Sequence, residues 1–552
     1  MDALNARITP RSGAALVLAA AAILLLVRLG GTDLWAPDEP RYGEIAEALR
    51  SMEHGARGLV VLHLNGEEYT QKPPLYFWLA AAVGSAFGRV TELAGRLPSA
   101  LAGIGVVALT LGFGRRLLGA ATGVCGAALL LTLPLFAHLA RRVQLDVLLT
   151  LFETLALVSF WRLDRGLGRP RRNAAALHAA MGLAVLTKGP VGFLVPVLVM
   201  AMFLAWERRL RDLRRAFPPW AFALSLGPGL VWLGAAGALA AGGFLADAVG
   251  VNLFGRFFAG TSHARPFYYY LYQFPADFLP WALLWPLVAW VAHRRVFVPG
   301  ADPDRARSWR FLLAWVLASL AFFTLSSGKR GLYLLPAFPA AALICADAVV
   351  RTFGGRPALP RTIGGVAAAL GALSAGAGAF CLATGEIRGV VLPAALGIAL
   401  IAIPGIGGLA YRASTRSGRG AAPSQLAIVI ACVFAVELAS FVWLFPALDP
   451  GKSPRPVARA AAALTPPGEP IGLWGSRALA GGIVYYGRRR VAELRNEDDL
   501  RAFLAARGRA IVVKQRSLEH VEAVTPVEVR ASFRAGRRAL LVVTPRAAGP
   551  AP

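Results

Sequence analysis

Residues 35–79 read WAPDEPRYGEIAEALRSMEHGARGLVVLHLNGEEYTQKPPLYFWL, and the rest of the chain is organised around this stretch. It follows the first long apolar run and carries Asp38 and Glu39 near its start, with Lys72 before two prolines. Charged side chains beside a bilayer are costly, and they usually serve a function there. We therefore expect this loop to form the floor of an active site at the outer face of a membrane.

The composition predicts a polytopic α-helical membrane protein. Of the 552 residues, 56% belong to the hydrophobic set, and the mean hydropathy is +0.56. Apolar runs of spanning length recur along the chain, which is not typical of a soluble protein. The four cysteines lie in or beside these runs without the spacing of metal ligands, so we expect small core residues there.

The formal net charge of +27 has two interpretations. A basic surface could bind nucleic acid, but most Lys and Arg residues flank apolar runs and do not form a basic domain. Basic cytoplasmic loops of a membrane protein account for the same charge. We therefore expect no nucleic-acid partner, and we use the basic loops to orient the helices.

Apolar length and loop charge predict about 13 transmembrane helices. Arginines near the start place the N-terminus in the cytoplasm, and residues 13–29 form the first span. No small-residue cleavage site follows, so we expect a retained helix. The apolar run 73–88 is short and begins with two prolines, and if it spanned, the later basic loops would lie on the wrong side. This run and residues 38–52 are therefore predicted to be helices along the membrane surface.

The chain changes character near residue 446. Residues 1–446 hold the predicted spans, whereas residues 447–552 lose long apolar runs and gain short strand-like segments. A small α/β domain outside the membrane is predicted there, joined by a proline-containing linker, with a helix at residues 496–506. The expected core positions of that helix are Leu500, Phe503 and Leu504.

The predicted topology brings charged and aromatic side chains from six segments to the outer face. They are Asp38, Lys72, Asp146, Lys188, His263, Arg265, Lys329 and Tyr333. Charges at a membrane edge usually face a cavity and pair with one another. Structural interpretations stay open as well: a helix cap for Asp38, a helix-dipole contact for Asp146, and headgroup contacts for the lysines.

The motifs in this order resemble a known class of enzymes. The sequence resembles the bacterial lipid A aminoarabinose transferases and, more broadly, the GT-C class of integral-membrane glycosyltransferases, which includes the protein O-mannosyltransferases. The segments that carry the resemblance are DEPRYGEIA (38–46), NGEEYTQKPPLYFWL (65–79), RRVQLDVLL (141–149), KGP (188–190), RPFYYYL (265–271) and KRGLYLLPAFP (329–339).

The resemblance implies a transmembrane glycosyltransferase domain over residues 1–446 and a polyprenyl-phosphate sugar donor, such as undecaprenyl phosphate carrying aminoarabinose or a related sugar. The implied acceptor is lipid A or another envelope molecule at the periplasmic face of the inner membrane. Asp38 matches the acid nearest the transferred sugar, and Asp146 matches a second acid. Glu39, next to Asp38, is a further catalytic candidate.

The resemblance also implies how the donor phosphate is held. Lys72 matches the lysine that meets this phosphate, and Arg265 and Tyr333 match positions near it. Lys329 is a further candidate cation. Breaking the bond from the anomeric carbon to phosphate leaves growing negative charge, which fixed cations stabilise.

A metal is implied only weakly. His263 resembles a family zinc ligand, whose partner is a glutamate before the lysine of the K-P-P motif. Gln71 stands at that position here, and a neutral amide binds zinc poorly. We therefore expect transfer to need no metal.

Two other functions fit parts of the sequence. A protein or glycan O-glycosyltransferase on the same scaffold would carry the same motifs. A lipid or sugar transporter should place its ionisable residues near the middle of broken helices. The predicted clustering at one membrane face favours an enzyme.

Overall fold

The computed structural model describes residues 10–259, 263–298, 302–353, 422–505, 509–536 and 538–546. In chain order, the α-helices of the first part are α1 (Pro10–Leu26), α2 (Asp38–Arg50), α3 (Leu75–Ala86), α4 (Glu92–Leu117), α5 (Ala120–Leu131), α6 (Pro134–Ala140), α7 (Leu145–Asp164), α8 (Pro170–Lys188), α9 (Val191–Trp206), α10 (Pro219–Ser225), α11 (Gly227–Leu239), α12 (Tyr269–Asp277), α13 (Trp285–Ala292), α14 (Pro303–Leu325) and α15 (Phe338–Phe353). Short α-helical and 3₁₀ segments cover Gly55–Gly58, Leu210–Asp212, Leu213–Ala216, Trp281–Leu284 and Gly331–Ala337. Two π-helices cover Ala246–Ala259 and His293–Phe297.

The loop between α1 and α4 has the two helices expected from its sequence, α2 and α3. Between them, strands β1 (His63–Leu64) and β2 (Glu67–Glu68) form a small antiparallel hairpin. Asn65 and Gly66 turn this hairpin with φ angles of +58° and +82°. Asn-Gly is the residue pair that tolerates such a turn best.

Within the described residues, four helical segments are long and apolar enough to cross a membrane. They are Glu92–Leu117, Pro303–Leu325, Gly331–Thr352 and Val429–Ala463. Three further pairs of bent helices raise the number to seven if each pair is one span. Two predicted spans, residues 363–384 and 390–411, lie outside the described residues.

Small residues bring the membrane helices close together. A Cβ atom on Gly114 of α4 would lie 2.8 Å from the Cα of Gly123 in α5. Real side chains do not approach a backbone so closely, so only glycine permits this contact. Close helix packing of this kind is typical of membrane proteins.

The later part of the chain begins with helices. They are α16 (Ala422–Ala439), a turn at Ser440–Leu444, α17 (Phe445–Lys452) and α18 (Arg455–Ala463). The predicted boundary at residue 446 therefore falls in a helical segment, where the sequence suggested a linker. Pro446 and Pro456 stand in the first turns of α17 and α18, where the missing N–H would be unpaired anyway, whereas Pro450 lies inside α17.

A mixed five-stranded sheet follows. Strands β3 (Ile471–Trp474), β4 (Val491–Leu494), β5 (Ile511–Lys514), β6 (Val527–Ala535) and β7 (Arg538–Pro545) take the order β4-β3-β5-β7-β6. Strand β3 is parallel to β4 and β5, and β7 is antiparallel to β5 and β6. The helices are α19 (Ala480–Gly487), α20 (Glu497–Ala505) and α21 (Leu518–Val524), with turns at Arg477–Leu479 and Gln515–Ser517. Leu500, Phe503 and Leu504 of α20 are buried, as their spacing predicts.

This sheet domain packs against the loop between α1 and α4. The amide group of Asn65 and the backbone of Val491 exchange two hydrogen bonds of 2.8 Å each. The backbone N–H of Leu34 donates to the Tyr486 hydroxyl at 2.6 Å. Hydrogen bonds therefore join the loop directly to the region of the sheet.

Candidate active site

Asp38 opens α2 and pairs with arginines from two directions. Its carboxylate lies 3.3 Å from the Arg330 guanidinium and 3.8 Å from that of Arg41, one turn along the helix. The Asp38 side chain is 22% exposed. Tyr270 donates its hydroxyl hydrogen to the Arg330 carbonyl at 3.0 Å, which anchors the backbone of Arg330. Arg330 thus holds Asp38 in place, and part of the Asp38 side chain stays exposed to solvent. The helix-cap role considered for Asp38 is not seen, because no side chain caps the start of α2.

Asp146, near the start of α7, forms a second polar group with residues from α8 and the segment before α15. Lys188 at the end of α8 pairs with one carboxylate oxygen, and Gln144 donates to the other at 3.0 Å. The Lys188 ammonium lies 4.4 Å from the centre of the Tyr333 ring. Lys188 therefore joins Asp146 to Tyr333 through an ion pair and a cation–π contact.

Arg330 connects the two groups electrostatically. Burial by itself lowers the pKa of Arg330, but Asp38, Asp146 and Tyr333 raise it, and the net shift is upward. The guanidinium is therefore held firmly in its charged form. Arg330 follows Lys329 directly in the KRG motif, and the motif alone does not show which of the two cations faces the carboxylates.

His263, Arg265 and Lys329 are brought together by a backbone contact. Ala264 and Gly328 form an antiparallel bridge, and the Lys329 N–H donates to the His263 carbonyl at 3.0 Å. Arg265 and His263 are exposed, and the Arg265 guanidinium lies 5.9 Å from the Tyr269 ring centre.

The contacts of the Lys329 ammonium differ from those predicted for it at the donor phosphate. It donates to the carbonyl of Ser326 and, at 3.4 Å, to that of Arg265. The residue is only 4% exposed, and burial lowers its pKa. Lys329 thus ties the two bridged segments together, and Arg330 is the cation that faces the carboxylates.

Lys72 lies between β2 and α3 and is partly buried. Pro73 and Pro74 after it are buried, so the backbone that carries Lys72 is held by packing. The amide of Asn252 donates to the Thr70 hydroxyl at 3.1 Å and joins the Ala246–Ala259 segment to this stretch.

The surroundings of Glu39 do not suit the catalytic role predicted for it. Its side chain is 3% exposed and forms ion pairs of 2.9 Å with Arg96 and Arg142. The backbone N–H groups of Trp35 and Val143 also donate to it, at 3.1 and 3.0 Å. Burial alone would raise the pKa of Glu39, but Arg142 and Arg96 lower it to about 2. With both oxygens engaged by protein donors, Glu39 is a structural anchor of the loop.

The donor set for a metal is poor. Among the residues that the structure describes, no three His, Cys, Asp or Glu side chains are grouped closely enough to hold a metal ion.

Comparison with known proteins relates the chain to membrane glycosyltransferases. Residues 14–246 match the family of dolichyl-phosphate-mannose-protein mannosyltransferases. The undecaprenyl phosphate-alpha-4-amino-4-deoxy-L-arabinose arabinosyl transferase of Pseudomonas savastanoi is 33% identical over 365 residues, which cover 64% of this chain and 65% of that protein. The Pseudomonas aeruginosa protein of the same name is 33% identical, with 62% and 60% covered. The match thus spans less than two thirds of the length of these relatives.

Solved structures show the same fold over nearly the whole chain. The crystal structure of ArnT from Cupriavidus metallidurans bound to undecaprenyl phosphate superposes with a TM-score of 0.78 at 21% identity, covering 97% of this chain and 99% of that one. The archaeal oligosaccharyltransferase AglB from Archaeoglobus fulgidus superposes with a TM-score of 0.52 at 13% identity, covering 92% and 69%.

Fold and site together define a multi-pass membrane protein with the fold of the integral-membrane glycosyltransferases. Within that class, the chain is similar to the aminoarabinose transferases over about two thirds of its length and, over residues 14–246, to the protein mannosyltransferases. The resemblance predicted from its motifs is confirmed.

Proposed function

We propose that this protein transfers a sugar from a polyprenyl-phosphate donor to lipid A or another envelope acceptor, outside the cytoplasmic membrane. The observation that carries the proposal is the group around Arg330. Two carboxylates, Asp38 and Asp146, and two cations, Lys188 and Arg330, come from four separate segments and act on one another there. Such a group costs free energy at a membrane edge unless it binds or transforms a polar ligand.

Cations at this site suit the donor half of the reaction. As the anomeric carbon separates from the lipid phosphate, negative charge grows on the phosphate oxygens. Lys72, Arg265 and Arg330 are the residues we assign to this charge, because a fixed cation stabilises it without reorganising solvent. Arg330 takes the place that the sequence assigned to Lys329, and Tyr333 supports Lys188 beside it.

Asp38 suits the acceptor half. It is partly exposed and held in place by Arg330, so an acceptor hydroxyl could approach its free edge. A carboxylate there positions the hydroxyl, accepts its proton, or stabilises the positive charge of an oxocarbenium-like sugar. If the acceptor is a phosphate, as on lipid A, it is already anionic and needs no strong base. Asp146 is buried and paired with Lys188, so we assign it the role of orienting that cation.

The proposed topology has about 13 spans, with the N-terminus in the cytoplasm and residues 447–552 in the periplasm. The contact between Asn65 and Val491 supports one part of it, because residues that bond directly lie on the same side of a membrane. In a chain with its cysteines replaced, Ser51→Cys and Asp498→Cys should both react with an impermeant maleimide in intact spheroplasts. Protection of either one contradicts this topology.

The relatives support aminoarabinose as the sugar and undecaprenyl phosphate as its carrier, because their names contain both. A protein or glycan O-glycosyltransferase is the second candidate, and the match of residues 14–246 to protein mannosyltransferases favours it. Mass spectrometry of lipid A and of envelope glycans from cells with and without the gene separates them. A mass increment of one aminopentose on lipid A that depends on the gene supports the first. An unchanged lipid A with altered glycoproteins or glycans supports the second.

A further inference from the structure

A polar cavity that shares no lining residue with the Asp38 group lies where α18 and the end of α19 meet the start of α4. Its volume is about 360 Å³. Four arginines line it together with one acidic residue, Glu92. The arginines are Arg89, Arg455, Arg459 and Arg488. This excess of positive charge is what an anionic ligand would require.

The acidic residue is already neutralised by the protein. Arg455 pairs with Glu92 and also, at 2.6 Å, with Asp33. The Tyr486 hydroxyl lies 3.1 Å from Glu92 as a further hydrogen-bond partner. Arg455 and Glu92 therefore neutralise each other in the cavity lining, and the other three arginines supply its net positive charge.

Arg459 and Arg488 stand out among these arginines. Both are exposed, and neither forms an ion pair with any residue in the parts of the chain that the structure describes. Arg488 follows α19 with φ of +52°, in the left-handed position after a helix that usually belongs to glycine. An arginine at this costly position places a long cationic side chain at the cavity.

The cavity lies at the end of a transmembrane segment. Thr91 caps α4, accepting a hydrogen bond from the Ala94 N–H at 3.1 Å, and both Thr91 and Glu92 line the cavity. A neighbouring cavity of about 510 Å³ shares Arg89 and Arg488 and includes Phe87, which is 50% exposed. Basic groups beside an exposed aromatic at the end of a candidate span match a lipid, whose phosphate lies at the interface next to its apolar chains.

We propose that this cavity binds the phosphate group of a lipid headgroup, with Arg459 and Arg488 as its principal ligands. The site would hold a phosphorylated glycolipid or an anionic phospholipid beside the sheet domain. Guanidinium groups suit this role because they donate two parallel hydrogen bonds to phosphate oxygens. The binding does not depend on the proposed transfer reaction, since no residue of the Asp38 group takes part.

The test compares lipid binding by the full-length protein in detergent, measured by native mass spectrometry without sugar donor. The variants are R459A/R488A, the charge-preserving R459K/R488K and the control R495A/R516A, which removes two exposed arginines of the same domain outside the cavity. The probes are bisphosphorylated lipid A, enzymatically dephosphorylated lipid A, phosphatidylglycerol and inorganic phosphate. Gel filtration checks that each variant is folded.

R459A/R488A should bind phosphorylated lipid about tenfold more weakly than the wild type, because two charge-assisted contacts are lost. R459K/R488K should lose less, and the control should not change. Loss for lipid A alone identifies a glycolipid ligand, and equal loss for phosphatidylglycerol identifies lipid phosphates generally; both support the proposal. Unchanged lipid binding by R459A/R488A overturns it, as does equal loss for dephosphorylated lipid A. An effect confined to inorganic phosphate also overturns it.

Discussion

Asp38 and Glu39 are neighbours in sequence and carry the same charge, but their surroundings differ. Glu39 is nearly inaccessible and receives hydrogen bonds from Arg96, Arg142 and two backbone N–H groups. Asp38 is 22% exposed and pairs with Arg330 at 3.3 Å. A carboxylate whose oxygens are all engaged by the protein holds structure together. A carboxylate with an open edge is available to a ligand.

The substitution with the largest expected effect is Asp38→Asn. It keeps the size of the side chain but removes the charge that would position or deprotonate the acceptor. Transfer should fall by about 10²–10⁴-fold, the usual contribution of a general acid–base group. The assay uses purified protein, a defined polyprenyl-phosphate sugar and lipid A, with thermal unfolding as the check that the variant is intact. Full activity in a folded Asp38→Asn protein would remove Asp38 from the site.

Lys72→Ala tests the cationic half of the same loop. Loss of one preorganised cation at the developing phosphate charge should lower the rate by about 10²–10³-fold. Lys72→Arg, which keeps the charge, serves as the matched control and should retain part of the activity. If Lys72→Ala uses the donor normally at low and at saturating concentrations, the lysine is only a membrane anchor.

Glu39→Gln should lower the stability of the protein, whereas Asp38→Asn should lower its activity. Removing this charge leaves Arg96 buried without its partner, which costs about 3–5 kcal/mol of unfolding free energy. Because the pKa of Glu39 is lowered from 4.5 to about 2, its stabilisation is present above pH 4.5 and is lost as the pH falls towards 2. Chemical unfolding of wild type and Glu39→Gln across this range measures both effects. A variant as stable as the wild type at pH 7 would contradict the anchoring role.

Glu44, in the same helix as Glu39, provides a second buried carboxyl group for comparison. It is buried like Glu39 but pairs with no basic side chain in the part of the chain that the structure describes, and burial raises its pKa to about 8. The folded protein therefore holds the Glu44 proton at neutral pH, and the protein loses stability as the pH rises from 4.5 to about 8. Glu44→Gln, which is neutral at every pH, avoids this loss and should be about 3 kcal/mol more stable at pH 7, relative to the wild type, than it is at acidic pH. The difference between the two proteins should shrink at pH 5, and a constant difference would count against this assignment.

The smallest expected effect is that of metal removal. Cations of the chain already surround the site, and Gln71 replaces a carboxylate that a zinc ion would need. Transfer should survive exhaustive chelation within experimental error. Activity that is lost on chelation and restored by zinc or manganese, but not by magnesium, would return His263 to the list of ligands.

Much of the architecture could be predicted from local sequence. The two prolines before the apolar run and the helical spacing of apolar residues predicted the helices of the first loop. The apolar spacing of Leu500, Phe503 and Leu504 predicted the buried face of α20. These features depend on the conformational preferences of a few neighbouring residues, so the sequence alone reveals them. The proline-containing stretch after residue 446, predicted as a linker, is helical in the structure.

Tertiary structure decided which of the neighbouring charged residues faces the site. Arg96 and Arg142, which engage Glu39, lie 57 and 103 residues further along the chain, and no local pattern reveals that they converge on it. In the KRG motif, the carbonyls of Ser326 and Arg265 take up Lys329, and Arg330 is left to face Asp38. The sequence by itself determined that charge gathers at this loop. The packing of distant segments determined which charged side chains pair within the protein and which stay exposed to a ligand. The reason is that a side chain's exposure depends on what packs against it.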